Sequence, residues 1–322
     1  MKYIIVFDGG GSKTHVALYD FFGNCYFDKI GKGCNHHSLG ENNFQTIINN
    51  LFYEAKDSLN LKNSDIELIY LGLSGADLES DFELLNKSCK RIFNKIKFTI
   101  VNDAWIIMRS GLETPYGAVA IAGTGTNSAA INKQGERAIL RSLGYTLGIY
   151  GGGLDIAREA LHYAFRSDEL TYDKTLLEYE IPKLFNKKNM DEIVSLFYPK
   201  NIVNRLKFGE ITALVNKCAI LGDKVSQDIL IKTGNYIGLQ TSGVIKQLEM
   251  ENEKFPVVIG GRVFDSESPL LLLEFTRSLK EICSAAYIVR PKYTPVIGAY
   301  LSALDELNIR INDEIIKNLK RK

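Results

Sequence analysis

The chain has 322 residues, of which 45% are hydrophobic and 24% are charged, and its net charge is +1. This length allows two domains, because a single hydrophobic core seldom grows beyond about 250–300 residues. The composition excludes a disordered or fibrous chain, and the near-zero charge argues against binding to nucleic acid or to an anionic membrane surface.

The first part of the chain predicts a hairpin followed by alternating helices and strands. Residues 2–7 are β-branched and aromatic and residues 14–19 alternate in polarity, so they predict two strands joined by a glycine-rich turn. The further predicted elements are strands at 26–30, 67–73 and 98–101 and helices at 43–59, 82–93 and 104–109.

The same pattern begins again near Tyr116. Residues 117–122 and 129–132 predict a second hairpin around another glycine-rich turn. The repeat indicates an internal duplication, with two related halves of βββαβα type. The later predicted elements are a mainly helical segment at 153–248, strands at 257–259 and 287–289, and helices at 269–283 and 295–307.

The five cysteines lie far apart in the sequence. No Cys-x-x-Cys pair is present that would suit zinc, an iron–sulfur cluster or a redox dithiol. The chain starts with a strand-like segment rather than a signal-peptide pattern, and no apolar run approaches the ~20 residues needed to cross a bilayer. We therefore expect a cytoplasmic protein.

The two glycine-rich turns are candidates for phosphate binding, because glycine lets backbone N–H groups converge on an anion. Neither turn has the P-loop ending of Gly-Lys-Ser/Thr before a helix, and neither fits the dinucleotide fingerprint, which also needs a helix next. Taken singly, each turn is more often only a tight hairpin.

Two aspartates lie where they could take part in chemistry. Asp8, at a strand end beside the first turn, could hold Mg²⁺ through water, although an aspartate that bonds its own backbone is the commoner case. Asp103 follows the strand at 98–101 and could accept the proton of an attacking hydroxyl. It could also be the N-cap of the helix that follows.

Taken together, a set of short motifs resembles the N-acetylglucosamine kinase and BadF/BadG/BcrA/BcrD ATPase family. The resemblance covers nearly the whole chain, and the order and spacing of the motifs are more specific than any one of them. The motifs are Asp8-Gly9-Gly10-Gly11-Ser12-Lys13-Thr14, Gly33-Cys34-Asn35-His36, Leu73-Ser74-Gly75-Ala76-Asp77, Asn102-Asp103-Ala104, Gly123-Thr124-Gly125-Thr126-Asn127, Gly260-Gly261 and Pro295-x-x-Gly298-Ala299.

The resemblance implies an α/β fold, in which duplicated actin-like (ribonuclease H-like) domains flank a central cleft and the second domain carries a helical insertion. Residues 1–116 would form the N-terminal domain with the sugar site and the first phosphate loop. Residues 117–322 would form the C-terminal domain with the second phosphate loop, the helical segment and the adenosine site. The last helix, at about 295–307, could pack back on the N-terminal domain.

The activity implied by the resemblance is that of an ATP-dependent kinase. It would use ATP and Mg²⁺ to transfer the γ-phosphoryl group to a hydroxyl, the 6-hydroxyl, of an amino sugar such as N-acetylglucosamine or N-acetylmuramic acid. The implied partner is a small sugar, with no nucleic acid and no membrane, and a homodimer stays open because dimers are common among relatives.

Two alternatives to a sugar kinase stay open. One is an ATPase activator of a 2-hydroxyacyl-CoA dehydratase type enzyme, which would need cysteines to hold an iron–sulfur cluster at a dimer axis. The other is a non-catalytic sugar or nucleotide sensor of the same fold.

The resemblance also assigns roles to individual residues. Asp103 would be the general base and would contact the substrate, and Asp8 would hold Mg²⁺ through water. The ATP phosphates would contact Gly10, Gly11, Ser12, Lys13, Thr14, Gly123, Thr124, Gly125 and Thr126, and the adenosine would contact Gly260 and Gly261. The sugar would contact Asn35, His36, Ser74, Gly75, Thr124, Thr126, Asn127 and Gly144.

Read without the family, His36 is more often a loop or core histidine than a ligand. The adjacent His37 resembles half of a metal-binding pair only superficially, because two neighbouring histidines are not expected to share a face.

One stretch departs from the family pattern. Relatives carry Gly-Trp-Gly and, a few residues later, Gly-Asp-Glu-Gly-Ser, whereas this chain has Leu143 at the tryptophan and Ile149-Tyr150 at the Asp-Glu pair. Losing a carboxylate that bonds a sugar hydroxyl costs about 1.5–3 kcal/mol of binding. The substitution predicts a different or bulkier sugar lying against Ile149 and Tyr150, a weak kinase, or a protein that binds sugar without turnover. We favour the first, because Asp103 and both loops are retained.

Overall fold

The computed structural model describes residues 1–200, 202–203 and 205–320. The chain forms two compact units, of which the first consists of Met1–Pro115 and the chain from Arg290 onward, and the second of Tyr116–Val289. We had placed the boundary so that residues 117–322 formed the second domain, with only the last helix, at about 295–307, packing back on the first; the structure places residues 290–320 in the first unit. In the described ranges, no helix is both long and apolar enough to cross a membrane.

The first unit is built on a five-stranded mixed sheet. Its elements in chain order are β1 (Tyr3–Gly9), β2 (Lys13–Asp20), β3 (Cys25–Lys32), α1 (His36–Leu39), α2 (Glu41–Asp57), a 3-10 turn (Asn63–Asp65), β4 (Ile66–Leu73), α3 (Glu79–Phe93), β5 (Phe98–Asn102) and α4 (Asp103–Gly111). The strand order is β3-β2-β1-β4-β5. β1 is antiparallel to β2 and parallel to β4, so the carboxyl ends of β1, β4 and β5 meet at one edge of the sheet.

β1 is the central strand of this sheet and is buried on both faces. Ile5 and Phe7 pack with the cluster formed by α2 and α3, whereas Ile4 and Val6 belong to a separate cluster. The sequence of a strand covered on both faces is an almost continuous apolar run, and residues 3–7 form such a run. Asp8 interrupts this run just before the first glycine turn.

The second unit repeats the strand arrangement of the first. Its elements are β6 (Gly117–Ala122), β7 (Thr126–Ile131), β8 (Arg137–Ile139), a 3-10 turn (Tyr145–Leu147), α5 (Gly153–Asp168), α6 (Leu177–Leu184), α7 (Met190–Phe197), α8 (Arg205–Ile220), α9 (Lys224–Gln247), β9 (Pro256–Gly260), a 3-10 turn (Arg262–Asp265), α10 (Leu270–Ile282) and β10 (Tyr287–Val289). The order β8-β7-β6-β9-β10 matches that of the first sheet. The predicted duplication is confirmed, and α5 to α9 form the helical insertion between β8 and β9.

The chain ends with two helices of the first unit, α11 (Pro295–Glu306) and α12 (Asp313–Leu319). Gly298 lets α11 approach α4 closely, because a Cβ there would lie 2.0 Å from the carbonyl oxygen of Ile106. The Tyr300 hydroxyl donates a hydrogen bond to the backbone oxygen of Asp20 at 2.9 Å. These contacts cover the Ile4 and Val6 side of β1.

Candidate active site

The first glycine-rich turn joins β1 to β2. The Gly10 N–H donates to the Lys13 oxygen at 2.9 Å and closes the turn. The N–H groups of Gly11 and Ser12 have no acceptor within the described residues, and both residues are exposed. The turn therefore offers two adjacent backbone donors, the arrangement that binds anions.

Two further residues define the shape of this turn. Gly33 packs against it so closely that a Cβ would lie 2.2 Å from the Gly11 oxygen. Thr14, a predicted phosphate contact, is fully buried. Its Oγ1 has no hydrogen-bond partner in the described chain. Within the predicted phosphate loop, accessible surface thus belongs to residues 10–13.

The second glycine-rich turn joins β6 to β7 and has the same property. The Gly123 N–H donates to the Gly125 oxygen at 2.9 Å. Thr124 and Gly125 are exposed residues, and their N–H groups find no acceptor in the part of the chain that the structure describes. The carbonyls of this turn are occupied, since Gly153 and Leu154 at the start of α5 donate to Gly123 and Thr124 at 2.8 and 3.1 Å.

Other glycines pack tightly around the second turn. A Cβ on Gly152 would lie 2.5 Å from the Thr124 oxygen. Gly261 has a φ of +93°, and a Cβ there would lie 2.3 Å from the Ala122 oxygen. The structure thus brings Gly260-Gly261, the predicted adenosine contact, against the second turn.

The other predicted sugar contacts of the second unit are tied into its backbone. Thr126 is buried and its hydroxyl donates to the Ile121 oxygen at 2.6 Å. Asn127 is buried and its Oδ1 accepts the Ser128 N–H at 2.8 Å. Gly144 is exposed in a turn at a φ of +85°. Of these residues, only Gly144 is exposed.

Ile149 and Tyr150 are both buried, with 8% and 3% of their surface exposed. The Tyr150 ring lies 5.0 Å from the Tyr236 ring, and the Lys232 Nζ lies over it at 5.1 Å. We had expected a sugar ring to lie against Ile149 and Tyr150. Their side chains are instead packed in the protein interior, where they offer a ligand almost no surface.

Asp103 is the first residue of α4, and Asn102 is the N-cap. The Asn102 Oδ1 accepts the Ala104 N–H at 2.9 Å, so the capping role that we considered for Asp103 belongs to its neighbour. Burial raises the pKa of Asp103 to about 7, with further contributions from the charges of Asp8 and Asp77. A carboxyl with this pKa can take up a proton near neutral pH.

Asp8 and Asp77 are the other carboxyls that act on Asp103. Burial raises the pKa of Asp8, against the opposing effects of Lys13 and His15. Burial, and then the charge of Asp81, raise the pKa of Asp77 to about 6. The Asp77 Oδ1 accepts a hydrogen bond from the Asn102 Nδ2 at 2.8 Å, which links the residues after β4 to those after β5.

The predicted sugar residues of the first unit lie together. The Asn35 Oδ1 caps α1 by accepting the His37 and Ser38 N–H groups at 3.0 and 3.3 Å. Its Nδ2 donates to the Ser74 oxygen at 3.0 Å. Gly75, at a φ of +89°, packs against the Asn35 amide. Asn35 therefore joins the segment after β3 to the loop after β4.

His36 and His37 do share a face, contrary to our expectation. Their ring centroids are 4.1 Å apart, and the two Nε2 atoms lie 3.1 and 3.2 Å from the same oxygen of Asp81. Successive residues can converge in this way because α1 is a single turn of helix, in which both rings bend towards the start of α3.

Asp77, Asp81 and Asn102 had no predicted role in the site. Asp77 and Asn102 belong to motifs that we had quoted, which marked their loops but not their mutual hydrogen bond. Asp81 lies three residues after Leu78, and its carboxylate accepts the Leu78 N–H at 2.8 Å at the start of α3. This acidic residue at the third position of a helix was the available signal for it.

Residues 7–303 match the sequence model of the BadF/BadG/BcrA/BcrD ATPase family. An N-acetylmuramic acid/N-acetylglucosamine kinase of Clostridium acetobutylicum is 28% identical over 306 residues, which are 95% of this chain and 99% of that protein. An N-acetyl-D-glucosamine kinase of Dictyostelium discoideum is 29% identical over 315 residues, covering 94% of this chain and 98% of that protein.

The fold has solved counterparts. A candidate N-acetylglucosamine kinase of Chromobacterium violaceum superposes with a TM-score of 0.74 at 17% identity, covering 94% of this chain and 98% of that one. At this identity the likeness shows the fold alone. The predicted fold class, an α/β protein with duplicated actin-like units and a helical insertion in the second, is confirmed.

Proposed function

The chain belongs to the BadF/BadG/BcrA/BcrD ATPase family, and from this premise we propose that it is an ATP-dependent kinase of an amino sugar. Both relatives described above are named as sugar kinases, one for N-acetylmuramic acid and N-acetylglucosamine and one for N-acetylglucosamine. We propose a substrate of the same class, with the 6-hydroxyl as the acceptor of the γ-phosphoryl group.

The observation that carries this proposal is the state of the two glycine turns. In each unit, two consecutive exposed amides, Gly11-Ser12 and Thr124-Gly125, lack an acceptor within the described residues. A hairpin that served only to reverse the chain would not need glycines packed so tightly behind it. Free amides at a hairpin tip can donate to phosphate oxygens, and we assign both turns to the phosphates of ATP.

Asp103 is the proposed general base. It would accept the proton of the sugar hydroxyl while the oxygen forms a bond to the γ-phosphorus and the bond between that phosphorus and the bridging oxygen to ADP breaks. ADP and the sugar phosphate leave, and the proton on Asp103 passes to water. The Asn102 cap and its bond to Asp77 would hold the carboxyl in place.

Asp8 is the proposed ligand of Mg²⁺, held through water. The residue fits this role, because Mg²⁺ prefers oxygen ligands and a nearby cation would offset the burial that raises the pKa of Asp8. Bound Mg²⁺ would neutralise charge on the phosphate oxygens. Lys13, exposed at the end of the first turn, would act on the same charge.

The sugar is proposed to contact the group formed by Asn35, His36, Ser74 and Gly75. The Asn35 amide is already bonded on both sides, so we expect it to position this loop, while Ser74 is partly exposed. Relatives have an Asp-Glu pair at the positions of Ile149 and Tyr150. Because these two side chains are buried here, they do not replace the sugar contact of that carboxylate. Sugar specificity should therefore depend chiefly on residues of the first unit.

The activator role is not supported by the cysteines. Cys34, Cys89, Cys218 and Cys283 are buried and Cys25 is partly buried. A cluster shared across a dimer axis needs cysteines that reach the surface in pairs. The positions of the cysteines therefore do not support an iron–sulfur function.

A coupled assay of ADP release tests the proposal, with N-acetylglucosamine, N-acetylmuramic acid, glucosamine and glucose as acceptors. At least one N-acetylated sugar should stimulate ADP release. Asp103→Asn should lower this rate at least about 100-fold and leave ATP binding, measured by calorimetry, unchanged. Asp313→Asn is the matched control, because Asp313 also follows a capping asparagine at a helix start but is exposed.

Two results would overturn the proposal. ATP binding without ADP release for any of the sugars would favour the non-catalytic sensor. A wild-type rate for Asp103→Asn would remove this residue from the reaction even if the kinase activity is present.

A further inference from the structure

We propose that His36, His37 and Asp81 form a binding site for Zn²⁺ or a similar late first-row divalent ion. The group lies in the first unit, where α1 meets the start of α3. Among the described residues, one ligand atom from each of the three lies within 4.8 Å of the other two. The inference does not rest on the proposed kinase activity, since metal binding is measured without ATP or sugar, although His36 is also a proposed sugar contact.

The two separations between the histidine nitrogens and the Asp81 oxygen match those of a tetrahedral site. Zinc bonds of about 2.0–2.1 Å at the tetrahedral angle place neighbouring ligand atoms about 3.3 Å apart. The Nε2 atoms of His36 and His37 lie 3.1 and 3.2 Å from the Asp81 Oδ1. An ion could therefore enter with little movement of the side chains, and water would complete its coordination.

The Asp81 carboxylate is held by contacts outside the site. Its Oδ2 accepts the N–H groups of Asp77 and Leu78 at 3.2 and 2.8 Å, which leaves Oδ1 facing the histidines. These two backbone donors orient the carboxylate, as metal sites require.

The histidines are also held in place. The His37 ring lies against the His36 ring, and a Cβ on Gly75 would lie 2.9 Å from the His37 Cδ2. Asn35 fixes the backbone of both by capping α1. The His36 side chain is 7% exposed and that of His37 is 50% exposed, so an ion can reach the group from solvent on the His37 side.

The donor set favours zinc and its neighbours over magnesium. Two imidazole nitrogens and one carboxylate oxygen suit Zn²⁺, Ni²⁺ or Co²⁺, whereas Mg²⁺ prefers oxygen ligands throughout. The alternative is that both imidazoles simply donate N–H hydrogen bonds to Asp81. That arrangement would give no selective affinity for such ions, and a titration distinguishes the two.

Co²⁺ is the probe, because tetrahedral Co²⁺ absorbs strongly in the visible range. The full chain, freed of its affinity tag and stripped with chelator, should bind one equivalent of Co²⁺, and Zn²⁺ should displace it. His37→Ala should weaken binding at least about tenfold. Asp81→Asn, which retains an acceptor for the Leu78 N–H, should do the same. His162→Ala, which alters an exposed histidine of α5, should bind like the wild type.

Two results would overturn the site. One is the absence of saturable Co²⁺ and Zn²⁺ binding at micromolar concentrations in the wild-type chain, which involves no substitution and therefore no question of folding. The other is equal affinity in His37→Ala and His162→Ala, which would assign the bound ion to other groups.

Discussion

Replacing Asp103 with asparagine should stabilise the folded protein at alkaline pH while it removes the proposed base. The carboxyl is held in an environment that disfavours its charge, because the residue is only partly exposed, loses hydration on folding and faces the charges of Asp8 and Asp77. An asparagine keeps the size of the side chain and cannot ionise. The gain in stability from Asp103→Asn should therefore grow as the pH rises and the wild-type carboxyl ionises.

The magnitude follows from the pKa of Asp103, which folding raises from its ordinary value of 3.8 to about 7. The stability that depends on this group is complete below the unfolded pKa and is lost as the pH rises through the folded pKa. Each pH unit inside that window corresponds to about 1.4 kcal/mol. The whole window is worth about 4 kcal/mol, and the part between pH 5 and pH 8 about 3 kcal/mol.

Urea unfolding followed by tryptophan fluorescence measures this difference. The chain has a single tryptophan, Trp105, which lies on α4 two residues after Asp103 and reports on the first unit. The free energy of unfolding should be compared at pH 5 and pH 8 for the wild type, Asp103→Asn and Asp313→Asn. Because the other titrating groups are shared, the difference between variants isolates Asp103.

The free energy of unfolding of Asp103→Asn relative to that of the wild type should increase by about 3 kcal/mol from pH 5 to pH 8. The corresponding difference for Asp313→Asn should stay constant. An advantage for Asp103→Asn that is equal at both pH values would show that Asp103 titrates normally. The reasoning from burial and from the neighbouring carboxyls would then be wrong.

Three other predictions follow from the first unit. The proposed base must be ionised to act, so kcat/KM should rise with pH to a plateau above about 7, and a profile that is flat from pH 5.5 to 8 would contradict this. Gly298→Ala forces a Cβ to 2.0 Å from a carbonyl oxygen of α4. In the same urea assay it should lower the free energy of unfolding by at least about 1–3 kcal/mol. The control is Gly243→Ala, whose Cβ meets open space within α9 and should leave the free energy of unfolding unchanged. Asp305→Ala leaves the buried Arg109 without the carboxylate that its Nε contacts at 2.6 Å. The free energy of unfolding should fall by about 2–3 kcal/mol. An unchanged urea midpoint would mean that the Leu112 carbonyl alone satisfies the guanidinium.

The topology of both units could be predicted from the sequence because it depends on local signals. A glycine turn between two apolar strands specifies an antiparallel hairpin, and the later strand and helix patterns specify parallel crossovers. β8 escaped prediction because three residues are too few to show a period. The position of α11 did not follow from its own apolar pattern, which shows that a helix is buried but not which sheet it covers.

The side-chain network could not be predicted, because its hydrogen bonds join loops that are distant in the sequence. Asn102 meets Asp77, and His36 meets Asp81, in a sheet where β4 pairs with β1 and β5 pairs with β4. The consequence of Ile149 and Tyr150 was unpredictable for a similar reason. A change of residue type reveals that a carboxylate is lost, but whether the new side chain faces a ligand or the core depends on packing against α9.

The two units share a backbone but differ in the residues that border their turns. In the strand register Gly9 pairs with Thr14 and Ala122 pairs with Thr126, so Asp8 in the first unit corresponds to Ile121 in the second. Both turns expose a pair of amides, whereas a carboxyl precedes only the first. Phosphate binding by amides needs no side chain and can be duplicated at little cost, but each added buried carboxyl raises the pKa of its neighbours. Under the proposed function, Asp8 serves one Mg²⁺ ion, so a carboxyl is needed beside one turn only, and the chain has it in one copy of the fold.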